Sequence, residues 1–556
     1  MIAAAVGCSG GGGGGGSADE KPGEDDWSLP SYAVASTNSG FFSESLDGAN
    51  HVDVRVVDVT WRQLKPTAAT FDTNATAHLG EGYALDFPSL GSQLSDPAPY
   101  WLRVWISTQD AVPQWVLDAC PSAKLYGPGY ENDRNVGIWN PCVWGHALDL
   151  YRELLETRGL RGDPRLVMVY VPGAFTYAEF DYDMMVDAVS KGELDFPTFH
   201  GWFEGAMQSL VDVMNGENAN PSDDEAQKLV FTGEDYPFGP ESWGTSDDLL
   251  AKDSVDRGTG IRTGFTELFD FHLNEVPAYG TTIAANGHLV TDENATAFAP
   301  GKIRATENEC YTDCGFSTSE VYYAVKMSNL KALELRMNWD YLVAGPSRVV
   351  EYSALWNWVR MELGKTVFNS PDAWIALRDA EDRYWEGADP VINCQTLPFS
   401  WASCPYVRNW ERWIVQKDVA ADGTPKRGSE QRTNVLTAEN GIAFEGLSTD
   451  PATGMDAIYL DVDDRFLPGP AQPVDLKVTW LDDGNDSWTV QYATSAGTMS
   501  TAPVASTKSG WTTTTFHLTN AVFTNSFANG TDLRIDDGGT KPLDVRFVRL
   551  VKLTPP

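Results

Sequence analysis

The sequence predicts an α/β fold: a (β/α)₈ TIM barrel followed by an all-β sandwich domain. Two observations carry this. From about residue 30 to 425, apolar β-branched runs alternate with segments of helical period, the signature of βα units around a parallel sheet. Past residue 430 the texture changes to short alternating strands separated by Gly, Asp, Asn and Pro turns, with no helical period between them. At ~100–200 residues per domain, a chain of 556 residues has room for both units.

Residues 1–29 read as a leader remnant and spacer. A short apolar run ends at Cys8, and a polyglycine then acidic tract follows. Ala5-Val6-Gly7-Cys8 resembles a bacterial lipobox, which makes Cys8 the expected lipidation site, with the true start of the chain upstream. The bland reading is a disordered terminus with a chance cysteine.

In the barrel region, 30–425, a first strand is expected within SYAVASTNSGFF (31–42). The next seven are DVRVVDVTW (53–61), YWLRVWIS (100–107), RLVMVYVPG (165–173), KLVFTGEDY (228–236), GIRTGFTELF (260–269), KIRATENE (302–309) and ALELRMNWDYL (332–342). Helical period marks 144–159, 199–215 and 352–364. An open doubly wound sheet is the alternative arrangement. No GxGxxG or GxxxxGK[ST] follows any strand, so nucleotide binding has no support. The segment 419–434 is the expected linker to the sandwich, 430–556.

With 40 basic and 78 acidic side chains the formal charge is −38, which repels phosphate backbones and anionic headgroups and excludes nucleic acid as a partner. The expected membrane contact is a lipid anchor alone, at the cell envelope or outside the cell. The 20 tryptophans offer flat apolar faces on which sugar C–H groups stack, although filling a large core accounts for most such rings. Apart from Cys8, the cysteines fall as three local pairs, Cys120 and Cys142, Cys310 and Cys314, and Cys394 and Cys404. In an exported protein these read as disulfides; the spacings, with no partnered histidines, argue against zinc.

Several segments resemble the clan A glycoside hydrolases, the β-galactosidase-like (β/α)₈ enzymes. VTWRQLKPTAATFD (59–72) is similar to their strand-end "W..lEP..G.yd" motif, and AVPQWVLDA (111–119) to the "vP.Wl" element after the next strand. WGHALDLYRELLETRGLRGDPRLVMVYVPGAFTYAEFDYD (144–183) is similar to the passage leading to their acid/base. Glycoside cleavage needs two carboxyl groups, one protonated to donate to the leaving oxygen and one ionised to attack or to activate water. On a barrel these project from the C-terminal ends of different strands. The resemblance places the acid/base after strand four and the nucleophile at the end of strand seven, nominating Glu179 and a glutamate of ATENE. Strand parity leaves Glu307 and Glu309 on one face. Thr306-Glu307-Asn308 resembles the "TEN" of the clan A nucleophile and selects Glu307, with Glu309 as a neighbouring carboxylate. Ala178 stands where many of these enzymes carry asparagine before the acid/base.

Trp61, Arg103, Trp105, Trp115, Asn338 and Trp339 are the candidate substrate-binding residues, by their place at strand ends; packing is the competing role for each. The C-terminal segment resembles β-sandwiches appended to polysaccharide-degrading enzymes. There Asp461, Asp463 and Asp464 offer oxygen ligands to a structural calcium, against the reading of a solvated turn. Trp480, Trp488 and Trp511 form either a sugar-stacking face or core. The expectation is a retaining glycoside hydrolase of an extracellular oligo- or polysaccharide that requires no cofactor. The alternatives are a catalytically silent glycan-binding lipoprotein and a polysaccharide lyase, the latter disfavoured because uronate substrates call for cations.

Overall fold

The computed structural model describes residues 25–43, 51–80, 84–128, 132–171, 183–216, 225–233, 250–263, 279–284, 288–306, 321–342, 348–377, 409–419, 429–435, 443–484, 487–507, 510–539 and 541–555. The expectations for Cys8, Glu179, Glu307, Glu309, Cys310, Cys314, Cys394 and Cys404 lie outside the described residues.

Eight strands form one parallel sheet: β1 Gly40–Phe42, β2 Arg55–Thr60, β3 Tyr100–Trp105, β4 Leu166–Tyr170, β5 Leu229–Gly233, β6 Gly260–Thr263, β7 Arg304–Thr306 and β8 Trp339–Tyr341. Each pairs with its neighbour in the chain, and β8 returns to β1 through Gly40 opposite Trp339. A parallel bridge between Phe42 and Val54, with the Asp53 N–H donating to the Phe41 carbonyl at 2.8 Å, closes the ring between β1 and β2. Each of the eight segments read from the sequence contains its barrel strand, in order.

The strands are legible because both faces are buried. Val56, Trp101, Met168, Tyr170, Val230, Ile303, Ala305 and Tyr341 fill the barrel interior with Phe42. Alternate residues, among them Val57, Val59, Leu102, Val104, Val169, Phe231 and Ile261, pack outward against helices. At Gly260 an added Cβ would stand 2.8 Å from the Ile303 carbonyl oxygen, so glycine is what lets β6 approach β7 this closely.

The outer helices include α1 Pro141–Arg152, α2 Phe196–Asn215, α3 Leu250–Asp256, α4 Val321–Glu334 and α5 Ser353–Glu362. Asn140 caps α1, its side-chain oxygen accepting from the Cys142 and Val143 amides, and Pro141 needs no donor at the first helical position. Asp195 caps α2 through the Thr198 amide at 2.9 Å. The segment 332–342 divides differently from its expected reading as continuous strand. Helix α4 runs to Glu334, Arg336 takes a left-handed φ of 60°, and only Trp339–Tyr341 is strand.

The second unit is an antiparallel, sandwich-like sheet. Its strands include β9 Asp372–Ala376, β10 Trp410–Arg412, β11 Ile414–Lys417, β12 Ser429–Val435, β13 Ala443–Ser448, β14 Ala457–Val462, β15 Gln472–Asp482, β16 Ser487–Thr494, β17 Gly510–Ala521, β18 Leu533–Asp536 and β19 Asp544–Lys552. The main path runs β10-β9-β19-β15-β17-β16-β18-β14-β11. Strand β9 pairs with β19 from Asp372 opposite Val551 to Ala376 opposite Phe547, so this sheet takes in strands that precede the expected linker. Every residue of β9 is buried, and in sequence it reads like a barrel strand. Part of the 419–434 segment is itself strand β12, paired with β13. Trp480 and Trp488 lie in the sandwich core, and Trp511 is covered by the Arg546 guanidinium at 3.5 Å.

Candidate active site

The C-terminal ends of barrel strands carry the polar groups that a buried interior otherwise excludes. Register sets Asp58 of β2 opposite Arg103 of β3, and Thr60 opposite Trp105. Asp58 accepts from Arg103 Nη2 at 2.7 Å and from Arg103 Nε at 3.1 Å, and its Oδ1 also accepts from the Trp105 indole N–H at 2.7 Å. The guanidinium lies between two rings, 5.5 Å from the Trp101 centroid and 5.4 Å from that of Trp105. The Asp58 backbone is fixed in turn by Gln93, which accepts from its N–H at 3.0 Å and donates to its carbonyl at 2.8 Å. A charge is thus held rigidly, with its own counter-ion, in a water-poor setting.

An arc of rings lies beside this pair. Tyr341 packs on Phe42 at 5.4 Å, Phe42 on Trp101 at 6.0 Å, and Trp101 on Tyr170 at 4.4 Å. A second buried arginine, Arg262 of β6, stands 5.5 Å from the Tyr170 ring and 5.7 Å from that of Tyr341. The barrel interior is therefore aromatic, with two arginines stacked against its rings.

Of the sequence-derived candidates, Arg103 and Trp105 meet at this site, and both are buried. Trp61 opens a short helix whose capping box joins Thr60 and Gln63. Its ring is fully buried in the core outside the barrel, 6.4 Å edge-on to Trp115. Trp115 donates its indole N–H to the Lys65 carbonyl at 2.9 Å. Asn338 precedes β8. Its side-chain oxygen accepts from the Arg304 amide at 2.8 Å and its NH₂ donates to the Lys302 carbonyl at 2.9 Å, which clamps the start of β7 to β8. Trp339 faces the interior, level with Ala305. Asp58, Trp101, Tyr170, Arg262 and Tyr341 escaped the sequence reading. Their signal is a charged or aromatic side chain at alternate positions of otherwise β-branched strands, as in RVVDVT and YWLRVW.

The strand expected to carry the nucleophile is firmly seated. Tyr279, 1% exposed, donates to the Ala305 carbonyl at 3.4 Å. Arg304 donates to the carbonyls of Arg336 at 2.9 Å and Ala297 at 3.0 Å. Burial depresses the Arg304 guanidinium to about 10, and Arg412 nearby adds to the effect. The described part of β7 ends at Thr306, and that of the β4 segment at Val171.

Cys120 and Cys142 form a disulfide with a Cα separation of 5.7 Å. Among the described residues, His200 and Glu204 of α2 with Asp253 of α3 gather nitrogen and carboxylate ligands closely enough for a metal. They already pair internally, His200 with Asp253 at 2.8 Å and Glu204 with Arg257 at 2.6 Å. In the sandwich Asp461 pairs with Lys417 at 3.2 Å and Asp463 with Arg465 at 2.7 Å, so both carboxylates have cationic partners.

No protein-family model matches this chain, and no curated protein does. Solved structures resemble it only distantly. A Paenibacillus polymyxa xyloglucanase of glycoside hydrolase family 44 aligns over 91% of this chain and 98% of its own, at 8% identity and a TM-score of 0.29. A Paenibacillus cycloisomaltooligosaccharide glucanotransferase, complexed with cycloisomaltoheptaose, aligns over 91% of this chain at 10% identity and a TM-score of 0.27. This chain spans 56% of that enzyme's length. A family 29 carbohydrate-binding module matches 25% of this chain and 91% of its own, at 9% identity and a TM-score of 0.14. At these scores the likenesses carry no argument about activity.

Proposed function

We propose that the protein is an exported, lipid-anchored, retaining glycoside hydrolase of an oligo- or polysaccharide, with Glu307 as nucleophile and Glu179 as acid/base. One observation carries the reading: Leu166–Tyr170 and Arg304–Thr306 are the fourth and seventh of eight barrel strands, and Glu307 follows the latter directly in the chain. Those are the strands at which the clan A resemblance expects the acid/base and the nucleophile. Glu307 also shares the sequence parity of Ile303 and Ala305, which face the interior.

In the first step a Glu307 carboxylate oxygen forms a bond to the anomeric carbon while the glycosidic bond breaks, and Glu179 gives its proton to the leaving oxygen. In the second, Glu179 removes a proton from water. The hydroxyl attacks the anomeric carbon, and the Glu307 carboxylate leaves. Arg103, whose charge Asp58 balances, is a rigid donor group for the sugar site in this reading, and Glu309 is a further carboxylate for pKa tuning or a sugar hydroxyl. Trp105 supplies an apolar ring beside that cation. The Cys120–Cys142 disulfide is compatible with export. No helix among the described residues is long and apolar enough to cross a membrane.

The test is a panel of polysaccharides and aryl glycosides with Glu307→Gln and Glu179→Gln as controls. New reducing ends that vanish in both variants support the reading. Full activity in Glu307→Gln removes the nucleophile. A second reading, a glycan-binding protein without catalysis, rests on Ala178 preceding Glu179. It predicts glycan binding with no new reducing ends.

A further inference from the structure

The chain from Asp25 to Val34 belongs to neither sheet, yet it touches both units at every turn. Trp27 is 5% exposed. Its ring lies 4.7 Å from that of Trp358 on α5 of the barrel and 5.4 Å from that of Phe547 on β19 of the sandwich. Its indole N–H donates at 2.8 Å to the hydroxyl of Tyr322 on α4, which donates to Asp25 at 3.2 Å. The two acidic residues before it point to different partners. Asp25 pairs at 2.9 Å with Lys326 of α4, the two side chains 0% and 2% exposed, whereas Asp26 pairs with Lys477 of β15. Arg549 of β19 donates to the Asp26 carbonyl. Further along, Tyr32 donates to the Lys552 carbonyl of the sandwich at 2.9 Å, and Lys365, just past α5, donates to the Val34 carbonyl at 2.7 Å.

We propose that residues 25–34 are a latch that couples the sandwich to the barrel. The chemistry favours this role over incidental packing. A chain with a net charge of −38 gains little from two more exposed carboxylates, but here each meets a lysine whose surroundings are largely dry, one on each unit. The indole fills the seam and its one donor is satisfied, so apolar burial and polar pairing coincide. Six residues after Val34 the chain enters β1, whose Phe42 packs on Trp101 and Tyr341 inside the barrel. The latch therefore joins the sandwich to the strand that closes the barrel.

The test compares the full chain with Trp27→Ala, with Asp25→Asn and with the milder Tyr32→Phe. It uses scanning calorimetry together with hydrogen exchange on α4, α5, β15 and β19. A latch predicts one cooperative transition in the wild type. Trp27→Ala should then split it, or lower its midpoint by ~5 °C or more, with protection falling together on both sides of the seam. If Trp27→Ala does not fold, Tyr32→Phe should show the same two-sided loss at smaller size. Two separate transitions in the wild type, or a loss of protection confined to residues 25–34, overturns the proposal. The readouts are independent of activity.

Discussion

Asp58 holds Arg103 and Trp105 together: one carboxylate accepts the guanidinium at 2.7 Å and the indole N–H at 2.7 Å, across the mouth-facing ends of β2 and β3. The side chains of the ion pair are 17% and 4% exposed, so removing one partner strands the other in a poorly solvated site. Asp58→Asn is expected to cost about 3 kcal/mol of stability. Through the displaced guanidinium it should also lower kcat/KM on the order of 10²-fold. Thermal melts and steady-state kinetics on the active glycoside check both; unchanged kinetics would remove Arg103 from the site.

The two tryptophans at neighbouring strand ends should separate cleanly. Trp105→Phe removes the N–H that Asp58 accepts and trims the buried indole to a phenyl ring, and is expected to reduce activity with a stability loss of about 1–3 kcal/mol. Trp61→Ala opens a cavity in the core outside the barrel and should cost about 3–5 kcal/mol while KM of the folded fraction stays unchanged. Parallel denaturant titrations and kinetics read the contrast.

Asn338 bonds two backbone groups that bracket the entry to β7. Asn338→Ala leaves an amide and a carbonyl unpaired and should destabilise by about 1–3 kcal/mol. If Asn338 instead bound substrate, KM would rise with stability intact.

Stability should peak on the acid side of neutrality. Burial pushes Asp532 up to about 6 against the backbone N–H groups of Asn525 and Val462, and the charges of Asp461 and Asp464 push the same way. Burial also raises Glu362, beside Asp372. Groups with raised folded pKa values favour the folded state fully below their unfolded values, and that contribution is lost as pH rises through the folded ones. Asp26 goes the other way. Burial alone would raise it, but Lys477 and Ser28 bring it down to about 2, so its contribution is present above the usual carboxylate value and is lost as pH falls toward 2. The melting temperature is expected to be highest between about pH 4 and 6 and to decline toward pH 8. A melting temperature that climbs steadily from pH 4 to 8 contradicts this.

Reduction of Cys120–Cys142, which closes a loop of 22 residues in sequence separation, should cost about 3 kcal/mol. Melts with and without reductant measure it.

The barrel was legible because a parallel strand buried on both faces writes a near-continuous apolar run, as in LVMVY. The same rule hid β9, whose DAWIA is buried on both faces in the other unit. For Trp61 and Trp105 the sequence offered the same cue, an indole at a strand end. Parity separates them, since Trp105 continues the inward series Trp101 and Arg103, whereas Trp61 follows the strand and turns into the outer core. Asn338 was misplaced because the expected strand was begun at Ala332, inside a stretch, LKALELR, that is helical to Glu334, so that Asn338 comes before the true strand and not at its end. The latch was invisible, since nothing local in DDWSLPSY names partners more than two hundred residues away.

The central claim is the nucleophile, and covalent trapping tests it most directly. A panel of 2-deoxy-2-fluoro glycosides with activated leaving groups should inactivate the enzyme, with the sugar on the peptide containing residues 302–316 and no labelling in Glu307→Gln. Active protein whose adduct maps to another carboxylate, or that keeps its activity in Glu307→Gln, contradicts the account.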